Sequence, residues 1–189
     1  MRTVYLLTAV AALGGLLFGY DTAVISGAIG FLKTKFELTA AMTGWAASSA
    51  IIGCIFGAMF AGWMSDRFGR KKVLILTAIL FAISAVGAAL PATLTQFAVF
   101  RFIGGLGIGA ASMVSPLYIT ELAPAKIRGK LVSYYQLAIV IGILVILTLP
   151  GPGKTSSGLN ELFIRLLFTT VFVILPSFAL SVASKYLRK

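Results

Sequence analysis

Long apolar stretches alternate with short polar ones along this chain. Six stretches stand out, roughly Thr3 to Phe31, Ala40 to Met64, Val73 to Leu90, Gln96 to Thr120, Leu131 to Leu149 and Leu162 to Ala183. Each comes within a turn of the about 20 residues that a helix needs to cross the hydrocarbon of a bilayer. The pattern therefore predicts six membrane-spanning helices. The first stretch follows only Met1 and Arg2, as a secretory leader would, but it is far longer than a signal h-region of about 7 to 15 residues and reads as helix 1.

Composition agrees with lipid as the solvent. Of the 189 residues, 59% are hydrophobic, 11% are charged and none is histidine, against roughly 25% charged in a soluble domain. The net charge of +11 could suggest nucleic acid, but the bases fall in short clusters between apolar runs and form no basic face interleaved with aromatics. They serve orientation instead. With the N-terminus inside, eleven bases are cytoplasmic: Arg2, Arg67, Arg70, Lys71, Lys72, Lys126, Arg128, Lys130, Lys185, Arg188 and Lys189. Only Lys33, Lys35 and Lys154 face out, so the positive-inside bias predicts a multi-pass protein with both termini in the cytoplasm. The single cysteine, Cys54, lies inside an apolar run and excludes an intrachain disulfide.

Glycines four apart, at Gly15 and Gly19, Gly53 and Gly57, and Gly105 and Gly109, put a small stripe on one face of three helices, as close helix packing in lipid requires. Two soluble-protein motifs are set aside. Gly105, Gly107 and Ala110 fit a dinucleotide fingerprint by letter but sit inside an apolar span with no preceding strand. Gly153, Lys154 and Thr155 resemble the end of a phosphate loop, but Thr148 stands where that motif needs glycine.

The chemistry sits in the few charges within spans, because an ionised side chain at mid-bilayer costs roughly 2.5 to 3.5 kcal/mol on insertion scales and is seldom kept without use. Asp21 lies about ten residues, or ~15 Å, from the outer end of helix 1, and Arg101 about five residues, or ~8 Å, from the outer end of helix 4. At such depths a pair is feasible. An acid beside a base in a low-dielectric site suits proton coupling; the alternatives are a purely structural ion pair or an Arg101 that snorkels to the surface. Arg165, within a turn of the outer end of helix 6, reads as snorkelling. On the cytoplasmic side GWMSDRFGRKK (Gly62 to Lys72) and PLYITELAPAKIRGK (Pro116 to Lys130) place Asp66 and Glu121 beside Arg67, Arg70 and Arg128. Ion pairs at helix ends are expected there, with Gly69 and Gly129 permitting tight turns.

Taken together, GGLLFGYDTAVISG (Gly14 to Gly27), GWMSDRFGRKK and the run from Arg101 to Ile143 resemble the sugar porters of the major facilitator superfamily, most closely bacterial proton-coupled pentose and hexose symporters. The resemblance spans about Leu13 to Ile146. It implies an all-α integral membrane protein, six transmembrane helices arranged as two inverted three-helix repeats that form the N-terminal half of a transporter. It implies that Asp21 is the protonation site with Arg101 as its partner, that Gln136 hydrogen-bonds the sugar and that Phe18 forms an apolar wall. It further implies that Asp66, Arg67, Gly69, Arg70, Glu121 and Arg128 belong to a cytoplasmic gate. Gln136 also has its own chemistry, since an amide offers two donors and an acceptor to vicinal hydroxyls, though Gln also serves as interhelical glue worth about 0.6 kcal/mol.

The resemblance lapses after helix 5: the Trp-Arg pair before helix 6 and the Pro-Glu-Ser-Pro-Arg box after it are missing. Residues 1–146 are thus expected to hold the transporter bundle through helix 5, and residues 147–189 an outer loop, an off-pattern helix 6 and a basic cytoplasmic tail. The function expected is monosaccharide:proton symport by alternating access in a cell membrane, that of a bacterium by the resemblance. It needs no cofactor beyond the proton gradient, no metal and no nucleic acid. No enzymatic constellation is present. Its partners would be sugar, proton, lipid and a second bundle, supplied by a separate half or by a second copy of the chain. The rival expectation is a sugar sensor or an inactive truncated product.

Overall fold

The computed structural model describes residues 2–89 and 91–148. Within them the chain forms five helices: α1 (Arg2–Phe36), α2 (Ala40–Phe68), α3 (Arg70–Ala89), α4 (Leu94–Leu122) and α5 (Arg128–Thr148). Each contains an apolar window long enough to cross a membrane, so the protein is an all-α, multi-pass membrane protein. The sixth predicted stretch, Lys154, Arg165 and the basic tail lie outside the described residues.

Several helices overrun the apolar stretches that predict them. At 35 residues α1 is ~52 Å long, and α2 and α4 at 29 residues are ~43 Å, against a hydrocarbon core of about 30 Å. The surplus turns carry charge out of the apolar layer. Lys33 and Lys35, expected in a loop, lie in the last turn of α1, where cations meet the negative end of the helix dipole. Asp21 is accordingly fifteen residues from the end of α1 and Arg101 seven from the start of α4, not ten and five.

The caps are local and explicit. Glu37 adopts φ 50° after α1, and Leu38 N–H donates to the Lys33 carbonyl at 3.2 Å, the six-to-one bond of a Schellman motif with Leu38 packed beside Leu32. The Thr39 and Thr93 hydroxyls accept from Met42 and Gln96 N–H at the starts of α2 and α4. Gly69 closes α2 at φ 86° with its N–H on the Ser65 carbonyl, the tight turn expected of it. Gly129 plays no such part: it lies in the first turn of α5, and the bend before it is made at Pro124, whose carbonyl accepts from Ile127 and Arg128 N–H.

Two seams organise the bundle. A Cβ added at Gly53 or Gly57 of α2 would overlap the Phe102 or Leu106 carbonyl of α4, and one at Gly105 or Gly109 of α4 would overlap the Ala50 or Cys54 carbonyl of α2. The rising residue numbers on both sides make α2 and α4 parallel. In the same way Gly19 of α1 meets the Ile139 carbonyl, Gly15 meets Tyr135, and Gly142 of α5 meets the Leu16 carbonyl, so α1 and α5 are also parallel. Adding three to the helix numbers 1 and 2 turns one seam into the other, as two inverted three-helix repeats require. All three predicted glycine stripes lie in these seams. Gly105, Gly107 and Ala110, the dinucleotide look-alike, are buried in α4. In turn, α3 runs antiparallel to α4, with Gly87 on Phe100 and Gly104 on Ser84.

Candidate functional site

Between the seams, α1 and α4 cross antiparallel, and there the two intramembrane charges meet. Arg101 Nη1 donates to Asp21 Oδ1 at 2.7 Å, with the two side chains 7% and 15% exposed. One turn on from Arg101, Gly104 lies against Ser84 of α3 and Gly105 against Ala50 of α2, which lets α4 pack closely on both neighbours. The pair satisfies only part of its polar surface, for Asp21 Oδ2 and Arg101 Nε are buried without a hydrogen-bond partner among the described residues. Arg101 is therefore buried and paired, and does not snorkel. Chemically the partners are unequal. A carboxylate can accept a proton and become neutral, whereas a guanidinium stays charged under all ordinary conditions. Protonating Asp21 would thus convert an ion pair into a buried, uncompensated cation.

Below Asp21 on α1, Phe18 is half-buried and packs with Cys54 on a core of Leu17, Phe81, Ile108 and Ala111. Gln136 is exposed on α5, while its neighbour Tyr135 turns inward, 2% exposed, with its ring against Gly15. The amide of Gln136 is thus free of core packing and does not act as interhelical glue among the described residues.

A second charge site lies at the far end of α2. Arg70, the first residue of α3, spreads all its nitrogens over three residues from the ends of α2 and α4. Its Nε bonds both Glu121 oxygens at 3.0 and 3.1 Å, and Nη2 reaches Oε1 of the same residue at 2.9 Å. Nη1 lies 2.9 Å from Asp66 Oδ1 and donates to the Ser65 carbonyl at 3.0 Å. Of the residues expected in a gate, Asp66, Arg70 and Glu121 are thus drawn together, with Gly69 making the turn that allows it. Arg67 and Arg128 are not in this network. Arg67 stands over the Trp63 ring, 5.8 Å from its centroid, and Arg128 Nη2 reaches the Ala123 carbonyl at 3.5 Å. Ser65 escaped the sequence reading because its contribution is a backbone carbonyl; the only trace is a small residue directly before the acid.

The profile of the family described as sugar (and other) transporters matches residues 7–182, past the point at which the quoted motifs lapse. The chain is 53% identical over 143 residues to an arabinose-proton symporter of Bacillus subtilis, covering 76% of this chain and 31% of that one. It is 45% identical over 169 residues to a D-xylose-proton symporter of Escherichia coli K12, covering 76% and 34% respectively. Among solved structures, the inward open conformation of the xylose transporter XylE from E. coli superposes with a TM-score of 0.83 at 38% identity, over 95% of this chain and 48% of that one. The chain spans about a third of the length of these curated relatives and about half of the solved chain.

Proposed function

Since the chain belongs to the sugar (and other) transporter family, we propose that it forms the N-terminal bundle of a monosaccharide:proton symporter that works by alternating access. The observation that carries this reading is the buried Asp21–Arg101 pair. In a bundle that has no other ion pair within its spans among the described residues, it offers a carboxylate whose protonation changes the local charge balance. Asp21 is the proton site and Arg101 its counter-charge. Gln136 supplies hydrogen bonds to sugar hydroxyls from the exposed face of α5, and Phe18 an apolar surface. Asp66, Arg70 and Glu121 form the closing cluster at the cytoplasmic end, with Gly69 as its turn and Arg67 and Arg128 flanking it. The protein acts as a transporter and not as an enzyme, in the inner membrane of a bacterium, with both termini in the cytoplasm.

One bundle provides one wall of a path. Alternating access needs two that rock about a site at their interface, so a second six-helix half, or a second copy of this chain, completes the transporter. The test is sugar flux in proteoliposomes that hold the complete assembly, with D-xylose, L-arabinose and D-glucose under an imposed proton gradient. Asp21→Asn should abolish gradient-driven accumulation while sugar exchange persists, because the amide keeps the shape of the carboxyl but cannot cycle a proton. Accumulation at the wild-type level would remove Asp21 from the mechanism.

A further inference from the structure

Arg67 is adjacent to the Asp66–Arg70–Glu121 cluster yet stands apart from it, and its surroundings suit a different partner. It lies one residue before the end of α2, with its guanidinium over the Trp63 ring one turn earlier. Trp63 in turn meets Phe68 edge to face, centroids 6.3 Å apart and planes at 89°. Both rings are exposed, Trp63 at 61% and Phe68 at 48%, so this aromatic pair covers no core. Directly after the turn come Lys71 and Lys72. No carboxylate pairs with Arg67, Lys71 or Lys72 within ion-pair distance among the described residues; the nearest in sequence, Asp66, is held by Arg70. Farther into the span, the exposed face of α2 continues as Phe60, Met59, Phe56 and Ile55, a surface for acyl chains.

The corresponding end of α5 repeats the device. Lys130 Nζ stands 5.9 Å from the ring centroid of Tyr134, which is itself exposed. Since α5 starts at the end of the bundle where α2 finishes, both cation-on-aromatic pairs lie at the same membrane level. On each helix the ring is one turn deeper than the cation. A tryptophan or tyrosine at headgroup depth with a base just beyond it matches the layering of a phospholipid, whose phosphate sits outside its acyl chains.

We infer that Trp63, Arg67, Lys71 and Lys72 form a binding site for the headgroup of an anionic phospholipid, with the phosphodiester on Arg67 and the acyl chains along the outer face of α2. Arginine suits this role because its planar fork can bond a phosphate through two nitrogens while its face remains on an aromatic ring. Three unpaired cations favour a lipid with net negative charge over a zwitterion, whose own ammonium group they would repel. The inference does not depend on the transport reading, since lipid occupancy can be measured without flux.

The chain provides its own control. It has two tryptophans, Trp45 and Trp63, both on α2 and both exposed, at opposite ends of the helix. The protein is placed in bilayers of phosphatidylcholine with a minor fraction of brominated phosphatidylglycerol, or the same fraction of brominated phosphatidylcholine, and tryptophan quenching is read. Trp45→Phe isolates Trp63, and Trp63→Phe isolates Trp45. At Trp63 the anionic lipid should be enriched about fivefold or more over the zwitterion, the size expected for one base near a charged headgroup, and Arg67→Gln should reduce that preference. At Trp45 the two lipids should quench alike. Equal quenching at Trp63 by the two lipids would overturn the inference. So would an equal anionic preference at Trp45, which would mean that the overall positive charge acts and not a site, or a preference at Trp63 that survives Arg67→Gln.

Discussion

The two charge sites hold the same kinds of side chain in opposite settings. Asp21 and Arg101 are buried at the α1–α4 crossing and share one short bond. Asp66, Arg70 and Glu121 stand at helix ends, with Asp66 72% and Glu121 42% exposed, and share many contacts. The buried pair has few bonds and unpaired polar atoms, so removing either partner strands a charge in low dielectric. The exposed cluster has better geometry but is hydrated and screened, and each of its bonds contributes little alone. The number of hydrogen bonds is therefore a poor guide to which site matters more for stability; solvent access decides.

The largest effect should follow from Asp21→Leu, which leaves Arg101 buried and unable to shed its proton. A loss of about 3 to 5 kcal/mol is expected, read as reduced resistance to denaturant in micelles and unchanged between low and high salt. Combining it with Arg101→Leu should restore a good part of that loss, because two apolar side chains strand no charge. A double variant as unstable as the single would mean that the crossing is held by packing and not by charge balance.

Next in size, Gln136→Ala should weaken sugar binding by about 1 to 3 kcal/mol while leaving stability unchanged, since the side chain is exposed and a lost sugar hydrogen bond is its only cost. Isothermal titration with the sugar that the assembly transports is the measurement, and unaltered affinity would remove Gln136 from the binding surface. Smaller still, Gly69→Ala should cost about 1 kcal/mol, the strain of a side chain at φ 86°, because no neighbour crowds its Cβ. Arg70→Gln should give a thermal shift smaller than that of Asp21→Leu and one that fades in high salt. A salt-independent shift would erase the contrast between the two sites.

Much of this architecture was legible in the sequence because the bilayer imposes one rule on every span. The apolar stretches locate α1 to α5, and the isolated charges Asp21 and Arg101 stand out because lipid tolerates so few. Helix ends were less legible: hydropathy stops where water begins, whereas α1 continues through Lys33 and Lys35 for another turn. Inter-helix register was not legible either. Gly142 enters the α1–α5 seam with Ala138 as its small neighbour, so no glycine pair marks it, and nothing in SYYQ distinguishes the buried Tyr135 from the exposed Tyr134 and Gln136. Arg67 and Arg70 look interchangeable in SDRFGRKK, but the turn at Gly69 directs one to the carboxylates and leaves the other on Trp63.

The glycine seams have a mechanical consequence. Where backbone carbonyls rest directly on glycines, the paired helices approach more closely than any side chain there would allow. Helices α2 and α4, with α3 along α4, therefore form one closely packed unit, and α1 with α5 another. These units meet where α1 crosses α4, where Gly14 has only ordinary contact with Ser115 and Val10 and Leu17 pack into mixed apolar clusters, and also where Ile119 of α4 packs with Leu131 of α5 and Leu32 of α1 with Ala46 of α2. Among the described residues, the one ion pair that joins the two units is Asp21–Arg101, so under the role proposed for Asp21 its protonation would remove the charge contact between them.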